Sequence, residues 1–175
     1  MALCLERIRN LLIDMDGVLY RGTTGLPGGP ELIAFLRERG IRFLLVTNNS
    51  TLTPAEFVRR FASMGIAVTE DEVMTSGVAT AIYLETLAPR GTKINVVGEP
   101  ALLEELTKRG YVIGGRDSRY VICGWDKGIS FEKLRVACLA IRDGATFIGT
   151  NSDKTYPLEK DIIPGAGSIL ASLIA

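Results

Sequence analysis

The chain has 175 residues, 47% of them hydrophobic and 23% charged, a composition typical of a globular protein of about one domain. Its 20 basic and 20 acidic residues balance, which argues against nucleic acid or an anionic membrane surface as the main partner. The absence of histidine excludes a Ser-His-Asp triad, a Cys-His dyad and a His-ligated zinc site. Acid–base chemistry must therefore use carboxylates, Lys, Tyr or Cys, and oxygen ligands favour Mg²⁺ or Ca²⁺ as a metal.

The cysteines and the first residues indicate a cellular compartment. Cys4, Cys123 and Cys138 are an odd number without Cys-x-x-Cys spacing, which is typical of reduced thiols. Residues 1–10 are partly charged and contain no apolar segment of useful length, so we expect no signal peptide. No apolar run approaches the about 20 residues that span a bilayer. These features predict a cytoplasmic protein without a membrane partner.

Short apolar runs alternate with amphipathic segments along the chain. Strands are predicted at residues 8–15, 41–46, 73–76, 93–98, 119–123 and 145–149. Helices are predicted from Pro30 to a stop at Gly40, from a capping box at Thr53 to a stop at Gly65, and at residues 77–88, 101–109, 130–142 and 164–175. The apolar faces of the first two helices are assigned to Leu32, Phe35 and Leu36, and to Phe57, Phe61 and Met64. This order predicts an α/β fold with a mostly parallel sheet.

Two segments interrupt this alternation. Residues 88–91, Ala-Pro-Arg-Gly, are the best candidate for a linker, because the strand–helix pattern starts again near Lys93. Residues 151–164 are predicted to form a polar loop before the last helix. That helix has no glycine stop and no basic last turn. The sequence therefore suggests two α/β segments and a final helix that lacks the usual end signals.

The strongest chemical signal is Asp-Met-Asp-Gly at positions 14–17, directly after the first predicted strand. Alternate side chains of a strand share a face, so Asp14 and Asp16 start on one side, at the carboxyl end of a parallel strand, where α/β sheets bind ligands. Gly17 allows the chain to turn sharply. Two adjacent carboxylates repel each other unless a cation such as Mg²⁺ or a shared proton relieves them. The alternative is a surface turn with two solvated acids.

A second signal follows the second predicted strand. Thr47, Asn48, Asn49 and Ser50 combine a hydroxyl with successive backbone N–H groups, a pattern that can bind an anion. The alternative is an ordinary polar loop between a strand and a helix. Taken alone, this segment does not distinguish an anion-binding loop from an ordinary polar loop.

Together the two segments resemble the haloacid dehalogenase-like hydrolase superfamily. Residues 12–22 look like its first motif. Residues 44–50 look like its second motif, in the form used by the subfamily of NagD-like and 4-nitrophenylphosphatase-like enzymes (subfamily IIA). Similar stretches follow at residues 75–77, 124–126, 150–153 and 164–168, so the resemblance covers the whole chain.

The resemblance implies a Mg²⁺-dependent phosphatase with a Rossmann-like core. Asp14 would be the nucleophile that forms an aspartyl phosphate, and Asp16 would protonate the leaving group and then activate water. Asp14 and the backbone carbonyl of Asp16 would hold Mg²⁺. Thr47 and the amides of Asn48 and Asn49 would bind the phosphoryl oxygens of a small phosphorylated metabolite.

The resemblance also implies an α/β cap inserted after the second motif. Residues 1–76 would be the N-terminal part of the core and residues 77–175 the cap, through which two copies could pair as a homodimer. Asn151 and Asp153 are candidate cap residues near the substrate, although a structural loop is the simpler explanation for each.

Two later motifs of the family have no counterpart here. One supplies a lysine after the cap, but Lys154 and Lys160 lie inside the predicted cap. The other is a Gly-Asp followed by further acids, and the chain contains no Gly-Asp dipeptide. We therefore expect the natural protein to be longer than this chain. Two alternatives to an active phosphatase stay open. One is a catalytically incomplete fragment, or a non-catalytic module of the same fold that binds Mg²⁺ or phosphate or assembles with a partner through its cap. The other is a receiver-type phospho-acceptor, against which the long second strand–helix region argues.

Overall fold

The computed structural model describes residues 8–158 and 161–174, so Cys4 lies outside the described residues. The chain forms two compact units. The first contains the described residues up to Thr47 together with Pro54–Met74, and the second contains Asn48–Thr53 and the described residues from Thr75 onward. The assignment of residues 1–76 to a core and 77–175 to a cap stays a prediction.

The first unit has a three-stranded sheet in the order β1-β4-β5. Its elements are β1 (Asn10–Asp14), β2 (Tyr20–Arg21), β3 (Thr24–Gly25), α1 (Gly29–Glu38), β4 (Arg42–Thr47), α2 (Pro54–Ser63), a short 3₁₀ helix (Glu70–Glu72) and β5 (Val73–Thr75). Strands β1 and β4 are parallel, with Asp14 opposite Val46, so both strands end at the same edge of the sheet. This confirms the predicted parallel pairing of the two strands that precede the motifs.

The core of the first unit is formed by apolar side chains from strands and helices. The fully buried members are Met15, Leu19, Tyr20, Leu36, Leu45, Phe57, Phe61 and Ile66. The prediction for Phe57 and Phe61 is therefore confirmed. The prediction for Phe35 is wrong, because its ring is 44% exposed and lies under the guanidinium of Arg39, while Ile33 takes the inner position.

The second unit is a parallel four-stranded sheet in the order β7-β6-β8-β9 with helices on both faces. Its elements are α3 (Ser76–Leu87), β6 (Lys93–Val97), α4 (Pro100–Lys108), β7 (Val112–Ile113), β8 (Tyr120–Cys123), α5 (Phe131–Arg142), β9 (Thr146–Gly149), β10 (Thr155–Pro157), β11 (Ile162–Pro164) and α6 (Ala166–Ile174). The predicted α/β class with parallel sheets is confirmed.

Strand β8 shows why this sheet has two covered faces. All four of its residues are buried. Tyr120 and Ile122 pack with α3 and α4, whereas Val121 and Cys123 pack with α5 and α6. Because successive side chains of a strand point to opposite faces, a continuous apolar run is what a central parallel strand requires.

Two predictions about connections are corrected. Residues 88–91 do not separate the two units, because they join α3 to β6 inside the second one, where Ala88 is buried and its carbonyl accepts a hydrogen bond from the hydroxyl of Tyr111. The segment 151–164 is not wholly a loop, since β10 and β11 pair as an antiparallel hairpin. Strands of three residues are too short to show a hydrophobic period in the sequence.

Among the helices of residues 8–158 and 161–174, none is long and apolar enough to cross a membrane.

Candidate functional site

The two aspartates of the first motif follow the end of β1. Asp14 is the last residue of β1 and is exposed, and its Oδ1 accepts a hydrogen bond from the N–H of Met15 at 2.8 Å. Met15 is fully buried, whereas Asp16 is half-buried. This alternation is the one expected if both carboxylates lie on the opposite side of the chain from Met15. Gly17 then turns the chain with a φ of 81°, a conformation that favours glycine.

Asp16 is held by two hydroxyl groups. Its Oδ2 accepts a hydrogen bond from the hydroxyl of Tyr20 at 2.8 Å and a longer one from Oγ1 of Thr47 at 3.3 Å. Thr47 is the last residue of β4, so the parallel pairing of β1 with β4 brings it beside the first motif. The structure therefore brings Asp16 and Thr47, two of the site residues predicted from the sequence, within hydrogen-bond distance of each other.

Tyr20 is a contact of the site that sequence reasoning missed. Its side chain is 1% exposed, and its ring packs edge-on against Phe61, with centroids 5.8 Å apart. The guanidinium of Arg60 lies over the same ring, 4.3 Å from its centroid. The one signal in the sequence was a tyrosine four residues after Asp16, inside the first motif, which alone does not say where its hydroxyl points.

Asn48 contacts three residues of the second unit. Its carbonyl oxygen accepts hydrogen bonds from Oγ of Ser76 and from Nδ2 of Asn151, each at 2.7 Å. Its side-chain amide donates to the carboxylate of Asp153. The N–H of Asp153 donates to Oδ1 of Asn151 at 3.0 Å. The structure thus brings Asn151 and Asp153 to the second motif, and it adds Ser76, which lies in the family-like stretch 75–77 but was given no role from the sequence.

The side chain of Asn49 folds back onto its own loop. Its Oδ1 accepts hydrogen bonds from both the N–H and the hydroxyl of Thr51, each at 2.7 Å. This turn shapes the loop that the sequence assigns to anion binding.

The thiol of Cys123, one of the two described cysteines of the second unit, is poorly suited to act as a nucleophile. Burial raises the pKa of the Cys123 thiol to about 12, with the nearby charge of Asp126 adding to the effect. The thiol is therefore protonated at neutral pH, and the thiolate is the nucleophilic form.

The first motif offers donors that suit a hard divalent cation. Mg²⁺ is usually held by one or two carboxylates together with other oxygen atoms, water and substrate phosphate, and here the carboxylate of Asp14 and the backbone carbonyl of Asp16 would hold it. Within the part of the chain that the structure describes, no group of three or more His, Cys, Asp or Glu side chains could hold a metal, and no salt bridge involves either aspartate. The donor set fits Mg²⁺ with a phosphorylated ligand and water completing the coordination.

Comparison with known proteins identifies relatives along the whole chain. A family model described as haloacid dehalogenase-like hydrolase matches residues 11–112. The chain is 36% identical to the 5'-nucleotidase YutF of Bacillus subtilis over 97% of its own length and 66% of the relative's. It is 39% identical to an acid sugar phosphatase of Staphylococcus aureus, over 94% of this chain and 64% of that one.

The fold is also shared with a solved phosphatase structure. The 4-nitrophenylphosphatase of Thermotoga maritima superposes with a TM-score of 0.89 at 35% identity, over 96% of this chain and 64% of that one. The chain thus spans 66% and 64% of the length of the two curated relatives, slightly less than two thirds.

Proposed function

We propose a phosphomonoester hydrolase activity for the whole protein, because this chain belongs to the haloacid dehalogenase-like hydrolase family. Its relatives named as a 5'-nucleotidase and an acid sugar phosphatase support a small phosphorylated metabolite as substrate. Phosphatases of this family generally use a divalent metal ion, and we propose Mg²⁺ because the donors at the first motif are oxygen atoms, a carboxylate and a backbone carbonyl. The observation that carries the proposal is the hydrogen-bonded group of Asp16, Tyr20 and Thr47 beside Asp14 at the carboxyl ends of β1 and β4.

In the proposed reaction, Asp14 is the nucleophile and Asp16 the acid and base. A carboxylate oxygen of Asp14 forms a bond to phosphorus while the bond to the leaving oxygen breaks, and Asp16 donates a proton to that oxygen. Asp16 then takes a proton from water, whose oxygen attacks phosphorus and releases phosphate from Asp14. Bound Mg²⁺ would supply charge neutralisation for the carboxylates and the phosphoryl group. Tyr20 and Thr47 orient the Asp16 carboxylate for both proton transfers.

The test is release of phosphate from 4-nitrophenyl phosphate by the full-length protein with Mg²⁺. We expect Asp14→Asn to lower kcat by about 10³-fold or more, because the neutral amide cannot form the covalent intermediate. Asp117→Asn is the matched control. It makes the same change at an exposed carboxylate that pairs with Lys93 at 2.6 Å, and we expect parental activity. Parental activity in Asp14→Asn would remove Asp14 from the nucleophile role.

A second candidate function is a non-catalytic module that binds Mg²⁺ or phosphate. Thermal stabilisation by inorganic phosphate and Mg²⁺ without turnover would support this module over the phosphatase. Turnover that requires Asp14 would reject it.

A further inference from the structure

The backbone carbonyl of Asn48, in the second motif, accepts two hydrogen bonds from side chains. A carbonyl oxygen has two lone pairs, and here Ser76 and Asn151 each donate one hydrogen bond to it at 2.7 Å. Ser76 is the first residue of α3 and is 8% exposed, so its hydroxyl is held by the helix. Two donors on a single oxygen restrict rotation of the peptide between Asn48 and Asn49.

This restriction also determines the direction of the next N–H group. A trans peptide is planar, and its C=O and N–H bonds point in opposite directions. The N–H of Asn49 therefore points away from the two donors that hold the carbonyl of Asn48. Rotation of this peptide would move the carbonyl of Asn48 and the N–H of Asn49 together. The hydrogen bonds from Ser76 and Asn151 to the carbonyl therefore also fix the direction of the N–H.

A closed ring of hydrogen bonds holds Asn151 itself. Asn151 donates to the carbonyl of Asn48, the N–H of Asp153 donates to Oδ1 of Asn151, and the side chain of Asn48 donates to Asp153. Asn151 uses both ends of its side-chain amide, whereas Asn48 and Asp153 each contribute one backbone group and one side chain. The ring orients the amide of Asn151 so that its NH₂ group, and not its oxygen, faces the carbonyl of Asn48.

We propose that Ser76 and Asn151 are positioning residues for phosphate binding, which they serve by holding the Asn48–Asn49 peptide so that the Asn49 amide can meet a phosphoryl oxygen. This inference rests on the proposed function, which assigns that amide to the phosphoryl group. Donors that are oriented in advance stabilise a developing charge without reorganisation, and loss of one such donor typically lowers kcat by about 10²–10³-fold. Loosening one donor without removing it should cost less, about 10-fold in kcat/KM.

The experiment compares two variants of the full-length protein with matched controls. Asn151→Asp keeps the size of the side chain and the oxygen that accepts from Asp153, but it replaces the NH₂ donor with a second oxygen. Ser76→Ala removes the other donor. Ser76→Thr retains a hydroxyl and should recover most of the activity that Ser76→Ala loses. Ser168→Ala removes a similar hydrogen bond, from Oγ to the carbonyl of Lys154 at 2.6 Å, and should match the parent.

Three measurements are made on each variant: kcat/KM for 4-nitrophenyl phosphate, affinity for inorganic phosphate, and the amide NMR resonance of Asn49 with and without phosphate. We expect Asn151→Asp and Ser76→Ala to lower kcat/KM and phosphate affinity by about 10-fold each and to reduce the phosphate-induced shift of the Asn49 resonance. Urea unfolding midpoints should fall no further than in Ser168→Ala, which separates positioning from general destabilisation. Parental kcat/KM and an unchanged shift in both variants would overturn the inference.

The NMR measurement also separates this inference from the proposed function. If the parent binds phosphate without releasing it from a substrate, the phosphatase proposal fails. The inference then stands if phosphate shifts the Asn49 resonance in the parent and not in Asn151→Asp. No phosphate-induced shift in the parent would overturn it.

Discussion

The hydroxyl of Tyr20 provides a direct test of how the first unit supports its acidic site. Tyr20→Phe removes this hydroxyl and leaves the ring in its contacts with Phe61 and Arg60. Of the Tyr20 contacts described above, this substitution removes only the hydrogen bond to Oδ2 of Asp16, at 2.8 Å. The carboxylate then keeps the longer bond from Thr47, at 3.3 Å.

The expected cost follows from burial and charge. Hydrogen bonds to charged groups typically contribute about 1.5–3 kcal/mol to stability. Tyr20 is 1% exposed, but Asp16 is half-buried, so water can replace part of the lost interaction. We therefore expect the free energy of unfolding to fall by about 1–1.5 kcal/mol. The loss of this orienting contact should also lower kcat for 4-nitrophenyl phosphate, by about 10-fold, because Asp16 transfers a proton in both steps of the proposed reaction.

Urea unfolding measures the loss in free energy of unfolding. A double-mutant cycle with Asp16→Ala shows how much of that loss belongs to the contact between Tyr20 and Asp16. The coupling energy between Tyr20→Phe and Asp16→Ala should be about 1 kcal/mol. Tyr83→Phe is the control, because Tyr83 is 54% exposed, and its loss should stay within about 0.5 kcal/mol. A stability loss at Tyr20 no larger than that of the control, with no coupling, would refute the reasoning.

Two further predictions concern the second unit. In Gly167→Ala the new Cβ would collide with the carbonyl oxygen of Ser152 and lie 2.6 Å from its carbonyl carbon, so thermal unfolding should show a loss of about 1–3 kcal/mol. Gly115→Ala, where nothing lies within 4 Å of the new Cβ, should change stability by less than about 0.5 kcal/mol, and equal losses in the two variants would contradict this. Because the pKa of Cys123 is raised to about 12 and the residue is fully buried, its thiol stays neutral from pH 7 to 10, and iodoacetamide should alkylate the half-buried Cys138 before Cys123. Mass spectrometry that finds Cys123 modified first in the folded protein would contradict this prediction.

Secondary structure was predictable wherever a segment is long enough to show a hydrophobic period or carries an end signal. A helix was predicted to start at Ser130, and in the structure Oγ of Ser130 accepts from the N–H of Lys133 at the start of α5. The hairpin of β2 and β3 was not predicted, because each strand has two residues and its stability depends on the partner strand. The exposure of Phe35 was not predictable either, since helical spacing allows more than one apolar face.

By itself the sequence determined the class of fold and the position of the chemistry. Apolar runs that end in Asp14 and in Thr47 indicate parallel strands, and parallel neighbours end at one edge of a sheet. The tertiary structure alone decided which side chains hold these groups. Tyr20 reaches Asp16 in a fold where Phe61 packs against its ring, and Asn151 meets Asn48 across 103 positions of the chain. Local signals arise from neighbours within a few residues, whereas contacts over such separations depend on how whole elements pack.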